Sequence, residues 1–225
     1  MNYLFFGIAF FLAVLDWIAV ARGWKKLEYL AKPATMVALL AFVIQNGGLS
    51  GGMIWFTLGL IFSLAGDVFL MLPKEQFIAG LISFLLAHVA YIIGLAPRLP
   101  RDVPSLLIAI SLAVFLALAA VQIYRRIAAG LQASGNANLR GPVLVYTIVI
   151  SVMLFSAMLT LLGDEWFSTE ALTVCAGAAL FFLSDAILAW NKFVSPIRNG
   201  RLMNMVSYHL GQLLIALGAA QHFLG

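Results

Sequence analysis

The sequence predicts an all-α membrane protein, a bundle of eight transmembrane helices that forms a single domain over residues 1–225. The first observation is composition, since 64% of the residues are hydrophobic and 10% are charged, whereas soluble domains are about 25% charged. The second is the length of the apolar runs, because a helix needs about 20 apolar residues to cross a bilayer. The third is that these runs lack the period-two alternation of a membrane barrel.

Eight apolar runs fill the chain and leave no room for a soluble domain between them. The first run has no basic segment before it, so we expect a retained helix and not a cleaved signal. Pro33, Pro104 and Pro142 stand at the starts of the second, fifth and sixth runs, where helices tolerate proline. The single cysteine, Cys175, excludes an intrachain disulfide. The predicted helices cover residues 2–20, 31–46, 52–72, 77–96, 104–124, 142–162, 171–190 and 203–223.

Basic residues sort by loop and predict the orientation of the helices. The odd-numbered loops carry 11 of the 13 lysines and arginines, and basic loops stay in the cytoplasm. Both termini are therefore expected on the outer side of the membrane. The membrane itself is expected to be the inner membrane of a bacterium. The net charge of +4 follows from the loop bias and not from nucleic-acid binding. The basic residues of the odd loops are Arg22, Lys25, Lys26, Lys32, Lys74, Arg125, Arg126, Arg140, Lys192, Arg198 and Arg201.

Three carboxylates, Asp16, Asp67 and Asp185, interrupt apolar runs. An ionised Asp in the middle of a membrane helix costs about 2.5–3.5 kcal/mol, so such residues face the protein interior and mark functional sites. All three are expected roughly 6–9 Å below the cytoplasmic surface, at 1.5 Å per residue. The polar residues expected in the same inner half are Lys32, Thr35, Tyr146, Tyr208 and Gln212. The sequence therefore predicts a site that faces the cytoplasmic leaflet, with His88 and Tyr91 deeper in the membrane at its floor.

A weak internal repeat indicates two four-helix halves. Helices three and seven each carry a small residue followed by aspartate, Gly66-Asp67 and Ser184-Asp185. Parallel repeats place a site at the interface between halves. Two carboxyls that are close together in a medium of low dielectric cannot both ionise cheaply. One then acts as an acid and the other as a base, as in the cleavage of acid-labile carbon–oxygen bonds, although a proton-coupled transporter also needs membrane carboxylates.

Several short motifs in consistent order resemble the YhhN-like lysoplasmalogenase family of integral membrane proteins. The first is Lys32-Pro33-Ala34-Thr35-Met36, and the last is Tyr208 with Gln212. Between them stand Gly66-Asp67, Phe77, Gly80, Phe84, His88, Tyr91, Phe181 and Ser184-Asp185. The resemblance runs through helices two to eight, and His209 stands where the family often has a second aromatic residue.

The resemblance implies an eight-helix hydrolase that needs no metal or organic cofactor. Its substrates would be lysoplasmalogens, lysophospholipids whose single chain is joined to glycerol by a vinyl ether. Its products would be a fatty aldehyde and glycerophosphoethanolamine or glycerophosphocholine. One of Asp67 and Asp185 would be the general acid, and the other would stabilise the cation and activate water. The residues expected to bind or orient the substrate are Lys32 at the lipid phosphate, Thr35, His88, Tyr91, Tyr146, Ser184, Tyr208, Gln212 and Asp16.

Two other classes remain open at this point. A zinc-dependent, ceramidase-like lipid amidase would also be a helical bundle, but catalytic zinc usually takes three ligands rich in histidine, and this chain has three histidines in all. A proton-coupled transporter or lipid-binding membrane protein would use the aspartates to carry protons. It predicts substrate flux without product formation.

Overall fold

The computed structural model describes residues 1–72 and 76–225, so Lys74, one of the residues used for the orientation, lies outside the described part. The described residues form eight α-helices, all long and apolar enough to cross a membrane, and one 3₁₀ turn at Ala137–Leu139. The fold class is therefore confirmed. The helices are α1 Leu4–Arg22, α2 Lys25–Gln45, α3 Met53–Met71, α4 Phe77–Leu95, α5 Val103–Ala133, α6 Arg140–Leu159, α7 Ser168–Phe193 and α8 Gly200–Leu224.

The start of α2 differs from the expected boundary. This helix begins at Lys25 and not near residue 31, so Lys32 and Pro33 lie inside it. A search for apolar runs misses its first two turns because they are charged, although such residues form helix readily at a membrane surface. Pro33 has no N–H to donate to the carbonyl four residues earlier, that of Tyr29.

Two other helices are longer than their apolar runs. Helix α5 extends to Ala133 and α7 covers Ser168–Phe193. At 1.5 Å per residue α5 is about 46 Å long, which exceeds the hydrocarbon thickness of about 30 Å. Its start matches the expectation, because Pro104 stands in the first turn and the Asp102 carboxylate accepts a hydrogen bond from the backbone N–H of Ser105 at 2.8 Å. This hydrogen bond lowers the pKa of Asp102.

Glycines set the closest helix contacts. A Cβ at Gly177 of α7 would lie 2.7 Å from the backbone nitrogen of Ile215 in α8, and one at Gly211 of α8 would lie 2.9 Å from that of Phe181. Small residues allow this approach of two backbones. In the α3–α4 pair, a Cβ at Gly66 would lie 2.6 Å from the ring of Phe84. We refer to the contact of α7 and α8 at Gly177 and Gly211 as the glycine seam.

The order of helices in space differs from their order in the chain at one place. Helix α5 packs against α6 and α7, and within residues 1–72 and 76–225 no Cα atom of α5 comes within 8 Å of a Cα atom of α4. The main core lies between the other helices and includes Phe84, Phe181 and Tyr208, whose rings pack edge to face. The end of the bundle where α1, α3 and α7 finish and α2 and α8 begin is called the basic end. Its basic residues are Arg22, Lys25, Lys26, Lys192 and Arg201.

Candidate active site

A cavity of about 790 Å³ lies at the basic end of the bundle, mainly between α2, α3, α7 and α8. Asp67 and Asp185 both line it, so the structure brings the two predicted carboxylates to one enclosed space. The cavity reaches the surface beside Lys25, whose side chain is largely exposed. We call this space the polar cavity. Its other polar lining includes Lys32, Tyr208, Ser184 and Asn204, with Lys25, Glu28, Lys192 and Arg201 nearer the mouth.

Asp67 on α3 is held by a cation and a hydroxyl. The Nζ atom of Lys32 in α2 lies 3.0 Å from its Oδ1 atom, and the Tyr208 hydroxyl of α8 donates to Oδ2 at 2.6 Å. Lys32 Nζ also lies 5.8 Å from the centre of the Tyr208 ring, within cation–π range. The Asp67 side chain is 1% exposed and that of Lys32 is 8% exposed. Buried charges persist in proteins when they are paired, so this contact favours the ionised carboxylate.

Asp185 on α7 has a different set of partners. The Tyr146 hydroxyl of α6 donates to its Oδ2 atom. His88 of α4 places Nε2 3.3 Å from the same oxygen and 3.0 Å from the Tyr146 oxygen. Its Nδ1 atom has no hydrogen-bond partner among the described residues. The tautomer that carries the proton on Nε2 therefore satisfies the ring best. Both contacts are made at Oδ2, and Asp185 also lines the polar cavity.

The two sets of contacts are related by an exchange of helices. Asp67 of α3 is held from α2 and α8, whereas Asp185 of α7 is held from α6 and α4. Exchanging α2 with α6, α3 with α7 and α4 with α8 converts one set of helices into the other. This is the pattern that a repeat of α1–α4 in α5–α8 produces.

Tyr91 and Gln212 meet behind the site. The Tyr91 hydroxyl donates to Gln212 Oε1 at 2.6 Å, and Gln212 Nε2 donates to the Ser63 hydroxyl at 2.9 Å. These three residues are buried and, in the part of the chain that the structure describes, do not line the polar cavity. Because Gln212 follows Tyr208 by one helical turn, the chain of hydrogen bonds fixes the face of α8 that carries the Tyr208 hydroxyl.

The two predicted hydroxyl residues differ in their contacts. Ser184 lines the polar cavity, and its hydroxyl oxygen accepts a hydrogen bond from Asn204 Nδ2 at 3.0 Å. The Thr35 hydroxyl donates to the carbonyl of Ala31 in its own helix at 2.9 Å and is absent from the described lining of the cavity. Helical Ser and Thr commonly bond to their own backbone in this way.

Asp16 lies apart from the other two aspartates. It is fully buried on α1, and none of the described cavity wall comes from it. His209 Nδ1 lies 3.9 Å from Asp16 Oδ2, and Trp17 Nε1 donates to the same nitrogen at 3.2 Å. His209 follows Tyr208 directly in α8. Asp16 and His209 thus form a separate buried pair beside the Asp67 centre.

Several residues of the cavity were not predicted as site residues, among them Glu28, Arg201 and Asn204. Arg201 forms an ion pair with Glu28 near the mouth, and Asn204 donates to both oxygens of Ser184. Asn204 precedes Tyr208 by four residues and Gln212 by eight, a spacing that places all three on one helix face and was visible in the sequence. Glu28 and Arg201 fall outside the apolar runs, so they were taken as loop residues.

Metal binding would require several His, Cys, Asp or Glu side chains close together in the site. Among the residues that the structure describes, no group of three or more His, Cys, Asp or Glu side chains is arranged to hold a metal ion. The oxygens of Asp67 face an ammonium group and a hydroxyl, which are donors and not fellow ligands. This donor set does not fit the three-ligand zinc centre that an amidase of the ceramidase type requires.

The fold and the site together define a class, an integral membrane protein with two differently paired carboxylates in one polar cavity at the end of a helical bundle. Residues 27–219 match the YhhN family. The chain belongs to this family, and the resemblance noted in the sequence is confirmed.

Proteins of known activity are among its relatives. Lysoplasmalogenase TMEM86B of Mus musculus is 28% identical over 221 residues, which cover 96% of this chain and 85% of that protein. Lysoplasmalogenase TMEM86A of Homo sapiens is 32% identical over 168 residues, covering 72% of this chain and 64% of that protein. A lysoplasmalogenase of Mycobacterium tuberculosis (strain CDC 1551 / Oshkosh) is 29% identical over 188 residues, which cover 82% of this chain and 67% of that protein. No solved structure matches the chain.

Proposed function

We propose that this protein is a lysoplasmalogenase. It hydrolyses the vinyl ether of a 1-alkenyl lysophospholipid to a fatty aldehyde and glycerophosphoethanolamine or glycerophosphocholine. The names of its relatives support the reaction. The observation that carries the mechanism is that two carboxylates with unlike partners, Asp67 and Asp185, line one cavity.

The partners of each carboxylate assign its role. Asp67 is the ionised group, because the Lys32 ammonium lies 3.0 Å from it. Asp185 is assigned as the general acid, because its partners Tyr146 and His88 are not lysine or arginine, whereas Asp67 is paired with an ammonium group. A neutral carboxyl accepts hydrogen bonds at one oxygen while it donates from the other. Tyr208 holds Asp67 in position in the same way that Tyr146 holds Asp185.

The first step is protonation of the outer alkene carbon by Asp185. A carbon–hydrogen bond forms, the double bond is lost, and the ether oxygen shares the positive charge of an oxocarbenium ion. The Asp67 carboxylate stabilises this ion, as carboxylates do in glycosidases. Water then adds to the cationic carbon while the Asp67 carboxylate removes a proton from that water, which gives a hemiacetal.

The second half of the reaction restores both aspartates. The Asp185 carboxylate removes the hydroxyl proton of the hemiacetal, and Asp67 returns its proton to the departing glycerol oxygen. The carbon–oxygen bond breaks and an aldehyde forms. Each carboxyl acts once as an acid and once as a base, so one water is consumed and no external acid or base is needed.

The orientation of the substrate follows from the charge at the mouth of the polar cavity. Lys32 is buried and paired with Asp67, so the lipid phosphate is assigned to the mouth, where the two cations Lys25 and Arg201 share one carboxylate, Glu28. Single-chain phospholipids in the membrane are the expected partners. The charge bias of the loops supports a bacterial inner membrane with both termini outside, which directs the cavity to the cytoplasmic leaflet.

Purified protein with a 1-alkenyl lysophosphatidylcholine in D₂O tests the reaction. Mass spectrometry should detect an aldehyde with one deuterium on the carbon next to the carbonyl, because that carbon receives the proton of Asp185. The matching 1-alkyl ether, which lacks the double bond, should not react. Absence of aldehyde would overturn the proposal. Flux of the lipid across proteoliposomes without product would instead favour the transporter class.

A further inference from the structure

A second space meets the polar cavity at Asp185. It is a narrow cleft of about 70 Å³, and its wall is apolar apart from Asp185, Tyr146 and Thr147. Asp185, Leu70, Phe84 and Leu188 belong to the walls of both spaces. The apolar cleft therefore adjoins the candidate active site at the group to which we assign the first proton transfer.

The cleft lies between α4 and α5, with α6 and α7 forming the rest of its wall. Its walls on these two helices are Phe77 and Leu81 of α4 and Ile123 and Ile127 of α5. The two helices follow one another in the chain, yet their backbones remain apart throughout the described residues. The rings of Phe77 and Phe193 meet edge to face at 5.4 Å on the side of the basic end. Leu81 and Ile123 are half-buried, so part of each side chain is accessible from outside the bundle.

The two spaces match the two ends of a lysophospholipid. The polar cavity presents basic side chains at its mouth, and the cleft presents hydrocarbon next to Asp185. In the measure used for the cleft volume, one water-sized group takes about 10–15 Å³. The cleft of about 70 Å³ therefore holds a short stretch of one hydrocarbon chain and not two chains. The remainder of a long chain would lie in the gap between α4 and α5.

We propose that the hydrocarbon chain of the substrate enters from the bilayer between α4 and α5 and occupies this cleft. The proposal rests on the proposed function and adds the route of entry and the residues that contact the chain. Leu81 and Ile123, which are half-buried on opposite walls, contact the methylene groups nearest the vinyl ether. A second apolar groove of about 330 Å³ lies between α5 and α6, but Asp67 and Asp185 are not among its described lining residues.

Photo-crosslinking tests the binding site without requiring turnover. The probe is a lysophosphatidylcholine with an ester-linked chain that carries a diazirine near the ester, and adducts are located by mass spectrometry. Adducts at Leu81 and Ile123 are expected. Adducts confined to the α5–α6 groove, for example at Ala117 and Ile148, would overturn the assignment. This result is informative even if the protein hydrolyses no vinyl ether, which would contradict the proposed function alone.

Kinetics on matched variants test the route. Leu81→Trp and Ile123→Trp fill the cleft and should raise KM for a long-chain alkenyl substrate about tenfold or more, with kcat nearly unchanged, because chain burial is lost equally in ground state and transition state. A water-soluble short-chain substrate should be affected much less. The controls Ile82→Trp and Leu118→Trp change side chains of the same two helices that are 51% and 64% exposed and that line neither the cleft nor the α5–α6 groove as described. Equal effects in controls and cleft variants, or no effect in any, would contradict the route.

Discussion

Asp67 and Asp185 occupy matching positions on α3 and α7, and each accepts a hydrogen bond from a tyrosine. They differ in the second partner, a lysine at Asp67 and a histidine at Asp185. They also differ in access, since the side chains are 1% and 12% exposed. The comparison teaches that similar helix positions can give two carboxyl groups different surroundings, an ammonium at one and an imidazole at the other, when the neighbouring helices contribute different groups.

The largest expected effect is on turnover in Asp185→Asn. The amide keeps the size of the side chain but has no acidic proton, so kcat should fall about 10²–10⁴-fold, the usual contribution of a general acid. Thermal unfolding in detergent should change little, because no buried cation loses its partner. Aldehyde release by Asp164→Asn, a change in an exposed loop, serves as the control. Wild-type turnover in Asp185→Asn would break the comparison.

Asp67→Asn should reduce both turnover and stability. It leaves the Lys32 ammonium buried without its carboxylate, and breaking a buried ion pair costs about 3–5 kcal/mol. The double variant Lys32→Met with Asp67→Asn removes the charge as well, so it should recover much of the melting temperature and none of the activity. A double-mutant cycle on thermal unfolding measures the coupling. Additive losses would show that Lys32 and Asp67 are not paired.

The two tyrosines give a smaller and sharper contrast. Tyr208→Phe removes a hydrogen bond to a charged group, worth about 1.5–3 kcal/mol, whereas Tyr146→Phe removes one to a neutral acid, worth about 0.5–1.5 kcal/mol. The free energy of unfolding should therefore fall more in Tyr208→Phe. A reversed order would mean that Asp185, and not Asp67, carries the charge.

The smallest expected effect is that of Asp16→Asn. This residue lies outside the described wall of the polar cavity, beside His209, so kcat should stay within about threefold of wild type, as for changes that do not touch reacting groups. Aldehyde release at saturating substrate measures it. A loss of kcat as large as that of Asp185→Asn would show that Asp16 takes part in the reaction. The comparison would then involve three aspartates instead of two.

The fold and the two central aspartates were accessible from sequence for simple reasons. Apolar length reports a membrane helix directly, and a carboxylate within such a run must face the protein interior. The partners of each aspartate were less accessible, because they depend on how the helices rotate against one another. Lys32 was therefore assigned to a phosphate before the structure placed it 3.0 Å from Asp67.

Other parts of the site were not predicted because apolar runs alone do not mark the charged ends of helices. The start of α2 at Lys25 was missed because charged turns do not register as apolar. The ion pair of Glu28 with Arg201 was missed with it. Thr35 was grouped with the site by depth and by its place in the Lys32-Pro33-Ala34-Thr35-Met36 motif, and Asp16 was grouped with it by depth. Depth does not specify which face of a helix a side chain occupies. The spacing of Asn204, Tyr208 and Gln212 carried that information for α8.

The glycine seam has a mechanical consequence for the reaction. With the two backbones this close at Gly177 and Gly211, steric contact resists sliding or rolling of α7 against α8. Asp185 is on α7, and Tyr208, which donates to Asp67, is on α8. The close packing therefore couples the position of Asp185 to that of the hydroxyl group bound to Asp67.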